Sequence, residues 1–482
     1  MKQLSAHLRH FYVGGSWVEP LGTDVIQVVD PSTEETVAVI AAGNDADIDR
    51  AVSQARIAFD SWSRTTVERR ILVLRAIEQG FIARKPELCE AISLEMGVPI
   101  SAAHNVHFAS GPAHFAEIVK VLQKFAFDEL RGTTMIMREP IGVCGLITPW
   151  NFPINQLTCK IAPALASGCT MVLKPSEVSP LSALIIAEIL HDAGVPAGVF
   201  NLVNGTGTIA GRALTQHPDV AMISFTGSTR AGIEIAKVAA DTVKRVAQEL
   251  GGKSPNILFP DVDFSRSVTL GANRCFNNTG QSCVAPTRML VPYERIEEAT
   301  ALAVQAADVI RIGPPSDSLT SMGPLATRAQ FEKVQRLIQQ GIDEGATLAC
   351  GGLGRPPGID RGYFVRPTVF TNVDNKMGIA REEIFGPVLC VIPYRDEEDA
   401  IRIANDTCYG LGAFIQSADL ERAGRVAKRL RAGSVQINYP PVDRGAPFGG
   451  YGHSGNGREW GEFGLQEYLE IKGIQGYTPG VT

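Results

Sequence analysis

The sequence contains no CxxC pair, and its nine cysteines are scattered and odd in number. This pattern disfavours zinc ribbons and disulfide frameworks and fits reduced thiols. No run of basic residues is present and the formal net charge is −6, which argues against nucleic acid and anionic membranes as partners. No apolar run is long enough to cross a bilayer, and the first residues lack the apolar core of a signal peptide. We therefore expect a cytoplasmic protein.

The composition is that of an ordinary globular protein, with 45% hydrophobic and 20% charged residues. A chain of 482 residues is too long for one small core, so we expect two or three domains. The front third is helical in pattern and has little chemistry. Its histidines, His104, His107 and His114, have no neighbouring set of carboxylates or cysteines, so we predict packed or solvated side chains and no metal site.

Two segments near the ends of the chain have clear periodic patterns. Asp45 begins a helical pattern that places apolar residues such as Ile48, Val52 and Ala55 on one face, and Asp45 itself is a candidate N-cap. Near the other end, residues 464–473 alternate in a way that suits an added edge strand.

From residue 141 onward, short apolar runs alternate with helical stretches. The runs are 143–148, 170–174, 199–203 and 220–225. Such alternation predicts βαβ units, a parallel sheet and a ligand crevice at the carboxyl ends of its strands.

Two turns in this region are candidates for binding an anion. Residues 205–210 (GTGTIA) match a GxGxxG/A pattern after a strand, but no acidic residue stands at the expected distance. The stretch FTGSTRAG is the better candidate, because Gly227 and Ser228 open a helix whose free N–H groups would face an anion. An ordinary strand–turn–helix with Ser228 as the N-cap is the alternative.

Cys283 follows a polar, glycine-containing turn in the segment FNNTGQSC, and Glu249 lies upstream in QELGGKSPN. A thiol with a pKa of about 8.5 is only a few per cent thiolate at neutral pH, so a nucleophilic cysteine needs a base or a positive field. A carboxylate can take the thiol proton and later a proton from an attacking water. We predict that Cys283 is a nucleophile and Glu249 its base. The alternative is a buried cysteine that packs as a small hydrophobe.

Eight segments, in order along the chain, resemble the NAD(P)-dependent aldehyde dehydrogenase superfamily: ITPWNFP, LKPSE, FTGSTRAG, ELGGKSPNI, GQSC, EEIFGPV, ANDTCYGL and PFGGYGHSG. The resemblance covers essentially the whole chain. It implies an α/β fold with a parallel-sheet, Rossmann-like cofactor domain, an α/β catalytic domain and a small β oligomerisation arm. The implied boundaries are 1–122 and 139–251 for the NAD-binding domain, 252–450 for the catalytic domain, and 123–138 with 451–482 for the arm and tail. A homodimer or homotetramer is implied as well.

The resemblance also implies a mechanism. Cys283 would attack the aldehyde, and the thiohemiacetal would lose hydride to leave a thioester. Asn151 and the Cys283 N–H would stabilise the oxyanion, and Glu249 would activate the water that releases the acid. The nearest alternative is a branch that passes the acyl group to coenzyme A, which generally lacks this glutamate. A second alternative is a catalytically silent structural relative, which would tolerate loss of these three residues.

NAD is the cofactor that the resemblance implies. It is favoured over NADP because the Glu177 carboxylate can accept both ribose hydroxyls and would repel a 2′-phosphate. Lys160 and Arg288 are expected to be structural. The implied cofactor-binding residues are Ile147, Thr148, Pro149, Trp150, Lys174, Ser176, Glu177, Gly207, Phe225, Thr226, Gly227, Ser228, Gly232, Leu250, Gly251, Glu383 and Phe385.

Four residues are candidates for the wall of the substrate tunnel. Gln156 and Cys159 stand where many relatives carry bulky apolar side chains, and Asn277 replaces a common aromatic residue. The guanidinium of Arg444 could pair with a distal carboxylate of the substrate. We expect a semialdehyde or an aromatic or otherwise bulky aldehyde. The alternative for Arg444 is an ordinary surface position.

Overall fold

The structure is a computed structural model that describes residues 7–478. Its strands are β1 (Phe11–Val13), β2 (Ser16–Val18), β3 (Val25–Asp30), β4 (Glu35–Ala41), β5 (Asp128–Arg131), β6 (Thr134–Pro140), β7 (Val143–Ile147), β8 (Thr170–Lys174), β9 (Phe200–Leu202), β10 (Met222–Thr226), β11 (Arg245–Glu249), β12 (Pro255–Leu258), β13 (Arg288–Pro292), β14 (Thr347–Cys350), β15 (Thr368–Thr371), β16 (Val388–Tyr394), β17 (Gly412–Gln416), β18 (Ser434–Ile437), β19 (Gly455–Asn456) and β20 (Leu469–Gln475).

Its helices are α1 (Asp45–Trp62), α2 (Val67–Ala83), α3 (Lys85–Met96), α4 (Ile100–Ala102), α5 (Phe108–Leu122), α6 (Pro153–Ser167), α7 (Leu181–Asp192), α8 (Arg212–Gln216), α9 (Thr229–Ala239), α10 (Phe264–Phe276), α11 (Ile296–Asp308), α12 (Arg328–Asp343), α13 (Gly378–Arg381), α14 (Glu397–Asn405), α15 (Leu420–Ala427) and α16 (Gly461–Glu467).

An eight-stranded sheet has the order β19-β11-β10-β7-β8-β9-β1-β2. Its five central strands, β11 to β9 in that order, are parallel, and the outer strands add antiparallel. Helices α6 and α7 are buried along almost their whole length, as their apolar sequences require. The register places Ile147 opposite Lys174 and Phe225, and Thr226 opposite Glu249. These side chains therefore meet at the carboxyl edge of the sheet, where a crevice was predicted.

A seven-stranded sheet has the order β14-β15-β16-β13-β12-β17-β18, and only β14 pairs antiparallel. On one side, residues of α10 and α11 such as Val268 and Ala303 pack in a core with Val391. Leu337 of α12 and Ile401 of α14 belong to a second core. Two cores around one sheet make this a second α/β layer structure.

A three-stranded sheet, β20-β6-β5, joins the C-terminal strand to the segment after α5. Strand β20 pairs with β6 along its whole length, from Leu469 opposite Pro140 to Gln475 opposite Thr134. The alternating run predicted within 464–473 does form an added strand, whereas residues 464–467 complete helix α16, which contacts α5 and α6. The alternation read in the sequence becomes a strand only at Leu469.

Helix α1 has the predicted apolar face, with Ile48, Val52 and Ala55 buried, but Asp45 is not its N-cap. Asn44 has extended dihedral angles, and its side chain accepts a hydrogen bond from Asp47 N at 3.1 Å. The Asp47 carboxylate accepts from Asn44 N at 3.3 Å, which completes a capping box. The cap therefore lies one residue earlier than predicted.

Helix α7 contains the apolar segment 181–190, and most of its residues are buried. Between residues 7 and 478, no helix is both long enough and apolar enough to span a membrane.

Candidate active site

Asn151 and Cys283 come from different sheets. Asn151 is buried in the turn after β7, and Cys283 lies in the loop between α10 and β13. The Asn151 side-chain amide donates to Gln281 O at 3.1 Å. A Cβ atom at Gly252 would lie 2.4 Å from the Cys283 carbonyl oxygen, so the loop of Cys283 packs directly on a glycine of the ELGG segment. Two predicted site residues are thus brought together across the two sheets.

The surroundings of Cys283 favour the protonated thiol over the thiolate. Burial raises its pKa, and the nearby carboxylates of Glu383 and Glu249 raise it further. A thiol that holds its proton this firmly needs a base before it can attack a carbonyl. The negative charges of both carboxylates thus disfavour the thiolate, and Cys283 requires a base to remove its proton.

Glu249 ends strand β11 and is buried, with 3% of its surface exposed. Neither carboxylate oxygen has a hydrogen-bond partner in the described part of the chain. Burial raises the pKa of Glu249 well above its ordinary value, and the neighbouring Glu459 carboxylate raises it further. A Cβ atom at Gly449 would lie 2.6 Å from Glu249 Oε1. The carboxyl group thus sits in a tight, poorly solvated site suited to a base.

A buried ion pair lies next to Glu249. Lys160 Nζ donates to Glu459 Oε1 and also to Ser224 Oγ at 3.1 Å. Burial lowers the pKa of Lys160, but Glu459, Cys159 and Glu249 together outweigh burial, and the net shift is upward. The Cys159 thiol donates to Glu459 Oε2 at 3.3 Å. Lys160 was expected to be structural only. Its positive charge also acts on Glu249 and lowers the pKa of that carboxyl group.

Two cavities flank the end of β10, which contributes Phe225 to one and Thr226 to the other. The first, of about 640 Å³, contains Asn151 and Cys283 and is also lined by these predicted cofactor residues: Pro149, Trp150, Thr226, Gly227, Ser228, Leu250, Gly251, Glu383 and Phe385. The second, of about 800 Å³, is lined by the predicted residues Ile147, Glu177, Gly207 and Phe225. Thr148, Lys174, Ser176 and Gly232 line neither cavity.

Lys174 reaches the second cavity through Glu177, since its Nζ donates to the Glu177 carboxylate at 2.8 Å. Ser228 is the N-cap of α9, with its Oγ accepting from Ala231 N at 3.3 Å, and it also lines the first cavity. The capping role given as the alternative is therefore present together with the cavity position.

Sequence reasoning missed two residues of helix α12, Gln330 and Lys333, which also line the first cavity. Gln330 Nε2 donates to Phe385 O at 2.8 Å and thereby supports a residue whose φ is +59°. The predicted residue Glu383 is also held in place, since its Oε1 accepts from Gly252 N at 3.0 Å. Residues of an amphipathic helix carry no local motif, so no signal in the sequence could have identified Gln330 and Lys333.

The four predicted tunnel residues have different environments. Gln156 and Cys159 are buried in α6, whereas Asn277 is exposed. Arg444 is half-buried, and its Nε has no hydrogen-bond partner among residues 7–478. Burial alone lowers the pKa of Arg444. Burial, with a smaller contribution from the Arg444 charge, lowers the pKa of the nearby His114 to about 4.

Comparison with known proteins supplies the family. The model of the aldehyde dehydrogenase family matches residues 17–474. A 3-succinoylsemialdehyde-pyridine dehydrogenase from a Pseudomonas species is 52% identical over 97% of this chain and 98% of its own length. A point mutant of aldehyde dehydrogenase C from Pseudomonas syringae, solved with NAD+ and octanal, is 55% identical, with a TM-score of 0.98 and coverage of 99% and 98% of the two chains. An aldehyde dehydrogenase from Mycobacterium tuberculosis, solved with NAD+, is 40% identical, with a TM-score of 0.95 and coverage of 98% and 99%. These likenesses confirm the fold class and the family that the motifs indicated.

Proposed function

The chain belongs to the aldehyde dehydrogenase family, and on that basis we propose that it oxidises an aldehyde to the carboxylic acid with NAD, through a thioester on Cys283. The observation that carries this proposal is the convergence of Cys283 and Asn151 in one cavity, together with a buried carboxyl group, Glu249, whose charge acts on the Cys283 thiol.

The residues around the two cavities fit NAD. The Glu177 carboxylate, at the wall of the second cavity, can accept hydrogen bonds from ribose hydroxyls. Ser228 begins helix α9, whose first-turn N–H groups lack helical acceptors and suit a phosphate. Thr226 lines the first cavity, and its buried Oγ1 has no hydrogen-bond partner within residues 7–478. NAD+ is bound in solved structures of two of the relatives.

The acylation half of the reaction begins with the Cys283 proton. Glu249 takes it, and the thiolate forms a bond to the aldehyde carbon while the carbonyl π electrons move to oxygen. The free hydrogen of the Asn151 amide and the Cys283 N–H stabilise that oxyanion. When bound, NAD supplies the acceptor for the hydride that then leaves the former aldehyde carbon. Cys283 is left carrying a thioester.

Before the second half, Glu249 releases the thiol proton to solvent and is again a carboxylate. It then takes a proton from water as the water oxygen attacks the thioester, and the Cys283 thiolate later receives this proton. The C–S bond breaks, the electron pair returns to Cys283 and the acid leaves. The raised pKa of Glu249, caused by burial and by Glu459, makes the ionised carboxylate a stronger base. A glutamate at this position favours hydrolysis over transfer to coenzyme A. A catalytically silent relative would tolerate loss of Cys283, Glu249 or Asn151, and all three are present.

We propose a long or bulky aldehyde as the substrate. One relative is named for 3-succinoylsemialdehyde-pyridine and another was solved with octanal. Both molecules are larger than a short alkyl aldehyde. Burial is the sole cause of the lowered pKa of the half-buried Arg444, and no carboxylate among the described residues raises that pKa. The guanidinium is therefore available to a carboxylate or carbonyl oxygen at the far end of the substrate.

We also propose a cytoplasmic homodimer or homotetramer. The nine cysteines are free thiols, which supports a reducing compartment. The sheet β20-β6-β5 exposes Leu130, Ile471 and Ile474, and such apolar side chains support an interface with a second copy.

The test is the absorbance of reduced nicotinamide with purified protein, NAD or NADP, and a panel of alkyl, aromatic and carboxylated aldehydes. The proposal predicts a signal with NAD, an equimolar amount of carboxylic acid, and no signal from Cys283→Ala. No signal from the wild type across the panel with either cofactor would contradict it.

A further inference from the structure

The side-chain amide of Asn278 bridges the loops that carry Asn151 and Cys283. Its Nδ2 donates to Asn151 O at 2.9 Å and to Gln281 O at 3.1 Å. Gln281 O also accepts from Asn151 Nδ2 at 3.1 Å. One amide thus joins the backbone of the oxyanion loop to the backbone of the nucleophile loop. This contact fixes Asn151 relative to Cys283 across the two sheets.

The backbone at Asn278 is unusual. Asn278 and Thr279 both have left-handed dihedral angles, with φ of 53° and 55°. Asparagine tolerates this conformation better than most residues, whereas a β-branched threonine does not. Such a conformation persists where the surroundings enforce it. Here, Thr279 Oγ1 donates to Gly323 O at 3.1 Å, and Gln281 Nε2 donates to Asn278 O at 3.1 Å.

The hydrogen bonds of this turn orient the oxyanion donor. Asn151 Nδ2 has two hydrogens, and Gln281 O takes one of them. The other remains for the oxyanion, and its direction depends on where Gln281 O lies. Asn278 holds that carbonyl and the Asn151 carbonyl at the same time. Preorganised donors contribute to rate only when they are already aimed at the developing charge.

We propose that Asn278 is a positioning residue for the oxyanion site, which acts by holding Asn151 in register with Cys283. The inference rests on the proposed aldehyde oxidation. Asn278 acts through Asn151, so its contribution disappears once the Asn151 amide is removed. A residue that only stabilised the fold would not depend on Asn151 in this way.

The first experiment compares Asn278→Gly with Asn372→Gly. Glycine removes the amide and keeps the left-handed backbone available. Asn372 is exposed, lies outside the site and has φ of 55°, so the control makes the same chemical change at a residue with a similar positive φ. We expect Asn278→Gly to lower kcat by about 10- to 100-fold, below the roughly 10²- to 10³-fold cost of losing an oxyanion donor. KM for NAD and for the aldehyde should stay within about threefold, and Asn372→Gly should match the wild type.

The second experiment is a double-mutant cycle with Asn151→Ala. We expect Asn151→Ala/Asn278→Gly to be no slower than Asn151→Ala alone, within about twofold. Multiplied losses in the double variant, or an unchanged kcat in Asn278→Gly, would overturn the inference. If Asn278→Gly does not fold, Asn278→Asp takes its place, because a carboxylate of the same size cannot donate to either carbonyl. A silent wild type would instead contradict the proposed aldehyde oxidation itself.

Discussion

Replacing Glu249 by glutamine tests the proposed base with little disturbance to packing. Glutamine has nearly the size of glutamate, and the carboxylate oxygens have no hydrogen-bond partners among the described residues that the change would break. The variant loses the ability to accept a proton. Any loss of activity therefore reports chemistry.

The expected loss can be bounded. A positioned general base contributes about 10²- to 10⁴-fold, which corresponds to about 3–5 kcal/mol in the activation free energy. Both halves of the reaction use Glu249 as a base, but only the first half has another base that can replace it. Hydroxide can remove the thiol proton at high pH, whereas attack of water on the thioester still needs an aligned base.

Stopped-flow absorbance separates the two halves. At alkaline pH, we expect Glu249→Gln to form about one reduced nicotinamide per Cys283 in a burst. The steady-state turnover rate that follows should be at least about 100-fold lower than that of the wild type. A steady-state rate equal to that of the wild type would refute the assignment of Glu249. A steady rate restored by added coenzyme A, with acyl-CoA as the product of the wild type, would favour the acyl-transfer alternative.

Three further outcomes follow from the site. Asn151→Ala should lower kcat by about 10²- to 10³-fold with little change in KM, and a change confined to KM in steady-state kinetics would contradict its role. Turnover should rise with pH as Glu249, whose pKa is raised, loses its proton. Glu459→Gln removes a carboxylate that raises this pKa and leaves the Lys160 charge unbalanced, so the rising limb of the pH profile should move to lower pH. An unmoved limb would show that Glu459 does not change the pKa of Glu249. Arg444→Met should raise KM for a carboxylated aldehyde by about 10- to 100-fold, since a charge-assisted hydrogen bond is worth about 1.5–3 kcal/mol. An equal increase in KM for an alkyl aldehyde of the same length would show that Arg444 does not recognise the carboxylate.

Local sequence patterns were enough for much of this fold. The alternation of apolar runs and helices from residue 141 predicted the parallel strands and the edge at which Ile147, Lys174 and Phe225 meet. The polar turn read before Cys283 is present as well. Both features were predictable because strand patterning and turn chemistry are encoded within a few residues.

Contacts between distant segments were not predictable in the same way. Lys160 and Glu459 are 299 positions apart, and neither stands in a pattern that indicates an ion pair. Gln330 and Lys333 reach the cavity only because α12 packs beside it. The bridging role of Asn278 depends on two successive left-handed residues, a conformation that tertiary contacts impose. The predicted domain boundaries and the roles of individual site residues stay predictions until variants are measured.

The most direct test of the mechanism is the mass of the Cys283 peptide after acid quench. Glu249→Gln, incubated at alkaline pH with NAD and a reactive aldehyde, should carry the mass of the acyl group on Cys283, one group per chain, together with one equivalent of reduced nicotinamide. Reduced nicotinamide formed with unmodified Cys283, or an acyl group on another residue, would contradict catalysis through a Cys283 thioester.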